Sequence, residues 1–331
     1  MAKCVKYYDF GKPQDVLKVE NRHVQNPGPG KILVRMITSP INPSDLIPIY
    51  GSYSHRIFLP AIPGYEGVGV VEEVGPAVPK ELLGKRVLPL RGEGTWQNYV
   101  RASAELAIPI PVTIDNLTAA QLYINPVTAW IICKEILELK PGDALLVNAC
   151  SSSIGRIFAQ LSKILGFELI AAVRNDIHTK DLIELGASYV INTSESSLVN
   201  MVRELTNGRG VSAAIDSIGG SCGNELACCL KPSGIFLSIG LLSGKPVDWK
   251  IISQKGEVKL FHLRHWNKQV SVKKWHETFE QLISYISEKK LKLMPPYEHY
   301  DLIHVKEAVL AVESLDTNRG KVFLKSELLQ L

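Results

Sequence analysis

The sequence predicts an α/β protein in two parts, a compact β-rich unit and a doubly wound parallel sheet of six strands. Three observations predict it. The middle of the chain alternates short apolar runs with amphipathic stretches. Residues 1–110 instead carry short alternating segments broken by Pro and Gly. The chain, at 331 residues, is also long enough for two cores, since a single core rarely grows past about 250–300 residues.

In the middle, the expected strands are Leu145–Ala149, Leu169–Val173, Tyr189–Asn192, Ser212–Ile218, Ile235–Ile239 and Val258–Leu263. Between them lie expected helices at Ile154–Leu165, Thr179–Leu185, Ser197–Thr206 and Asn224–Leu230. Such alternation implies right-handed crossovers and a parallel sheet covered on both faces. Before it, "ILVRMIT" (Ile32–Thr38) and "VGVVEEV" (Val68–Val74) read as short strands, and "NPGPG" (Asn26–Gly30) and "GPAVP" (Gly75–Pro79) as breaks. After it, a long helix is expected over Val272–Lys290, with a further helix at Val305–Ser314 and a last strand at Lys321–Leu324. That tail has no core of its own and must dock onto the β-rich unit. "GIFLSIG" (Gly234–Gly240) reads as a sheet edge, which needs covering.

Composition narrows the function classes. Hydrophobic residues at 46% and charged residues at 21% describe a globular chain, not a disordered one. The 37 basic and 33 acidic residues are interspersed, which argues against nucleic acid as a partner. No apolar run reaches the ~18 residues of a membrane span, and the N-terminus lacks a signal-peptide core, so a cytoplasmic protein is expected. Six cysteines (Cys4, Cys133, Cys150, Cys222, Cys228 and Cys229) form no C-x₂-C pair of a structural zinc site.

The stretch "VNACSSSIGRIFAQLSKILG" (Val147–Gly166) has the outline of a phosphate-binding strand–turn–helix. Two of its usual glycines are replaced within Ser151–Ser153, while Gly155, the helix–strand contact glycine, remains. The anion site itself is made by backbone N–H groups at a helix N-terminus, which any residue supplies. Arg174, in "AAVRND", follows the second strand 19 positions after Gly155. A guanidinium there suits the 2′-phosphate of NADPH, whereas an acidic residue would suit NADH. Asp176 keeps NADH as the minority case.

"INPSD" (Ile41–Asp45), "LPAIPGYEGVGVVEEVG" (Leu59–Gly75) and "NACSSSIG" (Asn148–Gly155) resemble the medium-chain dehydrogenase/reductase superfamily, and the likeness covers the whole chain. The resemblance implies a GroES-like catalytic domain (residues 1–121 and 267–331) and a Rossmann cofactor domain (residues 122–266). The places where zinc-dependent members hold metal read Asn42 to Asp45 and Gly64-Tyr65-Glu66, so no metal is expected. Within the zinc-free branch, "GSY" (Gly51–Tyr53), "GTW" (Gly94–Trp96), "INPVTAW" (Ile124–Trp130) and "KLFHLRHW" (Lys259–Trp266) look closest to trans-2-enoyl thioester reductases.

That likeness implies hydride transfer from NADPH to the β-carbon of an enoyl group, with Tyr53 as proton donor. It implies a substrate pocket of Asn42, Trp96, Asn125, Phe261 and Trp266. Cofactor contacts would come from Asn125, Thr128, Ser151, Ser152, Ser153, Ile154, Gly155, Arg174, Gly219, Ile239, Gly240, Phe261, Leu263 and Lys321. The alternatives are an NADPH:quinone oxidoreductase and a non-catalytic nucleotide-binding relative. A homodimer is expected, because relatives pair the sheet edge.

Overall fold

The computed structural model describes residues 2–314 and 320–326. The chain divides into two compact units. One comprises Met1–Ile124, Ser271–Ser287 and Leu293–Leu331; the other comprises Asn125–Val270 and Glu288–Lys292. Among the described residues no helix is long and apolar enough to cross a membrane.

The first unit opens with β1 (Ala2–Lys6), α1 (Pro13–Val16), β2 (Lys18–Arg22), β3 (Lys31–Pro40) and α2 (Pro43–Leu46). It continues with β4 (Val68–Val74), β5 (Arg86–Leu88), β6 (Tyr99–Ser103), β7 (Ile108–Pro109) and α3 (Asn116–Ala120). At α4 (Ile124–Ile131) the chain passes into the second unit. There follow β8 (Ala144–Val147), α5 (Ser153–Leu165), β9 (Glu168–Val173), α6 (Thr179–Leu185), β10 (Tyr189–Asn192) and α7 (Leu198–Leu205). Next come β11 (Val211–Asp216), α8 (Gly220–Cys228), β12 (Leu230–Ser238), α9 (Trp249–Ser253), β13 (Glu257–Leu260) and α10 (Leu263–Gln269). The return to the first unit supplies α11 (Val272–Ser287), β14 (Pro296–Asp301), α12 (Val305–Ser314) and β15 (Lys321–Lys325).

In the first unit the main sheet runs β14-β15-β3-β4-β5-β7, with β6 also on β3. The tail is integral to it, since β15 pairs antiparallel with β3, placing Phe323 opposite Pro40 and Leu324 opposite Ser39. One core gathers Leu17, Ile41, Ile49, Trp96, Val305 and Leu324, residues drawn from both ends of the sequence. On α11, Trp275, Phe279 and Leu282 fall at helical spacing and are buried.

In the second unit every neighbouring pair is parallel, in the order β10-β9-β8-β11-β12-β13. That is the 3-2-1-4-5-6 order of a dinucleotide-binding sheet, with its reversal between β8 and β11. Strands buried on both faces need continuous apolar sequence, and "ALLV" of β8 is such a run. The amphipathic face of α5 buries Ile157, Phe158 and Leu161, and Gly166 ends that helix at φ +82°.

Several boundaries move for local reasons. The helix expected at Asn224–Leu230 starts at Gly220 and stops at Cys228, because Leu230 already pairs with Val211 as the start of β12. The polar "KPSG" that follows bulges the ladder and hides this strand start from pattern reading. The strand expected at Val258–Leu263 splits, since the His262 ring accepts the Arg264 N–H at 3.1 Å and Leu263 begins α10. The long helix ends at Ser287, just before Lys289 turns left-handed at φ +59°. The segment expected at the sheet edge is internal, because β13 pairs alongside it from Ile235–Glu257 to Ser238–Leu260.

The turn after β8 depends on close backbone approach. A Cβ on Gly155 would lie 2.3 Å from the Cys150 carbonyl oxygen. Gly155→Ala is therefore expected to cost about 1–3 kcal/mol by overpacking. An unchanged urea midpoint for this variant would show that the turn can yield.

Candidate active site

In the second unit, the C-terminal ends of β8 and β11 meet at the strand-order reversal, where such sheets take ligands. Asn148 and Asp216 stand there, both buried. The Asn148 amide donates to Asp216 Oδ1 at 2.6 Å, and its oxygen accepts the Ser217 N–H at 2.8 Å. The Asp216 carboxylate also accepts N–H groups from Ile218 and Gly219, each at 3.0 Å. These bonds fix the two turns against each other. Gly219 itself sits at φ +80°, where a Cβ would come within 2.5 Å of Leu241 and the Lys245 carbonyl.

The backbone strain of the serine turn falls on its alanine. Ala149, at φ +49°, takes the left-handed position, and none of Ser151, Ser152 and Ser153 has positive φ. Ser152 is the N-cap of α5, accepting the Gly155 N–H at 3.4 Å. The N–H groups of Ser153 and Ile154, in the first helical turn, have no acceptor within the helix. These are the donors that a helix N-terminus offers an anion, and all three serines are partly exposed.

Beyond β9, Arg174 is exposed, whereas Asp176 is already committed. Its carboxylate accepts Thr179 Oγ1 at 3.0 Å and Asn192 Nδ2 at 2.8 Å, which ties the start of α6. The uncommitted charge there is positive. Asn125 and Thr128, three residues apart on one face of α4, are both half-buried. Phe261, Leu263 and Trp266 are partly exposed around the start of α10, and the Trp266 indole donates to Glu135 at 3.2 Å. Ile239 and Gly240 follow β12, where the Ile239 N–H donates to the Asp216 carbonyl at 2.9 Å.

In the first unit, Tyr53 lies in the loop after α2, partly buried, with the Arg56 guanidinium 3.7 Å from its ring centroid. Trp96, expected as a pocket wall, has no exposed surface and packs in the apolar core. Asn42, expected in the substrate pocket, and Lys321, expected at the cofactor, come together in a buried polar network. Lys321 Nζ donates to Asn42 Oδ1 at 2.7 Å, and Asn42 Nδ2 donates to Glu66 Oε1 at 2.7 Å. Glu66 Oε2 accepts the N–H groups of Tyr123 at 3.0 Å and Ile124 at 2.8 Å. Asp45 accepts the N–H groups of Asn42 at 2.8 Å and Tyr65 at 3.0 Å.

One ammonium thus faces two carboxylates away from water. Burial pushes Asp45 up to about 7, the Glu66 charge adding to the effect, while the two N–H bonds and Lys321 oppose it. Burial also raises Glu66, against the Ile124 N–H, Lys321, Asn42 and Tyr123. It lowers Lys321, against the pull of Glu66 and Asp45. Tyr65 is pushed up to about 12 by burial and by Asp45, so its phenol stays neutral.

Sequence reading missed Asp45, Glu66, Arg56, Asn148 and Asp216. For the last two a signal existed, a polar residue at the carboxyl end of an apolar strand. For Asp45, the spacing of three residues after Asn42 is that of the capping box the structure forms, but nothing local reveals its other partner.

Residues 28–112 match the family described as alcohol dehydrogenase GroES-like domain, and residues 153–288 match that described as zinc-binding dehydrogenase. Rat mitochondrial enoyl-acyl-carrier-protein reductase (Rattus norvegicus) is 31% identical over 301 residues, covering 88% of this chain and 80% of that protein. The chain belongs to the medium-chain dehydrogenase/reductase superfamily. A Bacillus thuringiensis crystal structure, provisionally named an NADPH:quinone reductase, is 56% identical with a TM-score of 0.96, covering 98% of this chain and 99% of that one. Escherichia coli quinone oxidoreductase, complexed with NADPH, is 26% identical with a TM-score of 0.88, covering 98% and 99%. This medium-chain reductase therefore stands among the quinone and enoyl reductases of its superfamily, with a GroES-like and a Rossmann domain.

The zinc in one family description does not fit the residues here. Each carboxylate oxygen of Asp45 and Glu66 already accepts hydrogen bonds, and the Lys321 ammonium lies where a dication would be repelled. Among the described residues no group of three or more His, Cys, Asp and Glu is placed to hold a metal ion.

The buried network carries a pH signature. A folded-state Asp45 pKa raised from 3.8 to about 7 means that the folded state holds this proton more tightly than the unfolded one. Its contribution to stability is complete below pH ~4 and is lost as pH rises through about 7. Urea titrations of Asp45→Asn should show a shallower decline over that interval than the wild type; an identical slope would refute the assignment.

Proposed function

We propose that this chain is an NADPH-dependent reductase of conjugated acceptors, and that quinones are its principal acceptor class. The observation that carries the acceptor is the 56% identity, over 98% of the chain, with the protein provisionally named an NADPH:quinone reductase. The enoyl reductase comparison stands at 31% over 88%. The enoyl thioester reading keeps one specific support, Tyr53 with Arg56 stacked on it.

The residues fit the cofactor. The start of α5, with Ser151, Ser152, Ser153 and Ile154, would hold the pyrophosphate, and Gly155 lets helix and strand approach. Arg174 would pair with the 2′-phosphate, since Asp176 is spent on α6. Asn125, Thr128, Gly219, Ile239, Gly240, Phe261 and Leu263 would line the nicotinamide half. Bound NADPH supplies the hydride. Trp266 and Phe261 would border the acceptor, and Tyr53 would act as general acid only toward an enoyl acceptor, giving a proton to its α-carbon. A second copy would pair along β13, where Leu260 is 71% exposed.

Three measurements test this. The purified chain with NADPH should reduce 1,4-benzoquinone faster than crotonyl-CoA, and the reverse order would overturn the acceptor class. Tyr53→Phe should lower any crotonyl-CoA turnover by about 10²-fold or more, the usual contribution of a general acid. Quinone turnover should fall less than about threefold, because no carbon is protonated and oxygen takes a proton from water readily. Arg174→Ala should raise the Kd for NADPH by about ten- to a hundredfold, the range of a lost charge-assisted hydrogen bond, and leave NADH binding unchanged. Equal effects on both cofactors would remove Arg174 from the 2′-phosphate.

A further inference from the structure

We propose that Lys321 is a positioning residue which, through Asn42 and Glu66, fixes the first turn of α4, the helix carrying Asn125 and Thr128. The significance given to those two residues rests on the reading above; the positioning itself does not. Three links make the chain of contacts: Lys321 Nζ to Asn42 at 2.7 Å, Asn42 to Glu66 at 2.7 Å, and Glu66 to the Tyr123 and Ile124 N–H groups at 3.0 and 2.8 Å. All three polar side chains are buried, Lys321 being 6%, Asn42 2% and Glu66 1% exposed.

The chemistry favours this arrangement. The first N–H groups of a helix lack partners within it, and Glu66 supplies one from outside for Ile124 and for the residue before it. A carboxylate at that end also meets the positive pole of the helix. A buried carboxylate stays ionised only if a positive charge and hydrogen bonds compensate it. Lys321 is the cation that faces Glu66, and Asn42 is the bridge that sets the distance. Asp45 belongs to the same balance, since its carboxylate holds the Tyr65 N–H, adjacent in sequence to Glu66. Removing the ammonium leaves two buried carboxylates without a counter-charge. Glu66 then gains a proton or leaves its place, and in either case α4 loses its anionic acceptor.

A residue that only touches the cofactor would behave differently, so amide hydrogen exchange separates the two roles. In the full chain, Lys321→Met should lower the protection of the Tyr123 and Ile124 amides by about tenfold or more, as expected when a hydrogen bond to a charged group is lost. Affinity for NADPH, measured by fluorescence titration, should fall only together with that protection, because Asn125 and Thr128 follow on the same helix. Adding Asp45→Asn to Lys321→Met restores the charge count and should recover much of the protection. If Lys321→Met does not fold, Glu66→Gln, which keeps the shape and removes the anion, should show the same loss at the same two amides. Unchanged protection in the folded variants overturns the proposal, as does a large loss of NADPH affinity with both amides still protected. No acceptor enters these measurements, so a wrong acceptor class would leave their outcome untouched.

Discussion

The buried ammonium of Lys321 is the constraint on which the first unit's polar centre depends. A lone charge in an apolar interior is unaffordable, and two carboxylates without a cation are worse. Together with Asn42 the three charges become tolerable, and they gather β15, the turn before α2, the segment before β4 and the approach to α4 into one place. The same arrangement explains why a chain matching a zinc-binding family does without the donor set. The carboxylates that remain are saturated by N–H donors and an internal cation.

In the second unit the corresponding constraint is the strand-order reversal. Parallel strands that diverge there leave a crevice, and the chain must bring two turns to its edges without blocking it. Asn148 and Asp216 do this with short side chains that satisfy each other and three backbone N–H groups. The serines replacing glycine keep ordinary backbone geometry. The left-handed position falls to Ala149, and helix N–H groups bind anions whatever side chain they carry.

The legible part of the sequence was the part with local period. Helical spacing from Ile154 to Leu165 and the run "ALLV" define α5 and β8 without ambiguity. Boundaries failed where a local interaction overrode the pattern, as when the His262 ring capped α10 inside an expected strand. Local pattern was enough to single out the turn after β8 and the exposed charge of Arg174 after β9 as candidates. Site residues were illegible where long-range pairing decides the role. Trp96 looked like a wall and is core; Asp45 and Glu66 stood where zinc-dependent members hold metal and are the buried counter-charges of Lys321.

The sequence by itself determined the alternation of strands and helices, the parallel sheet and the nucleotide turn. Hydrophobic period and backbone geometry act over a few residues, and those are written locally. The tertiary structure decided which charges meet. Lys321 and Asn42 are 279 positions apart, and only the pairing of β15 with β3 brings them to 2.7 Å. A residue's charge is fixed by its type, but its worth depends on what surrounds it once water has been excluded.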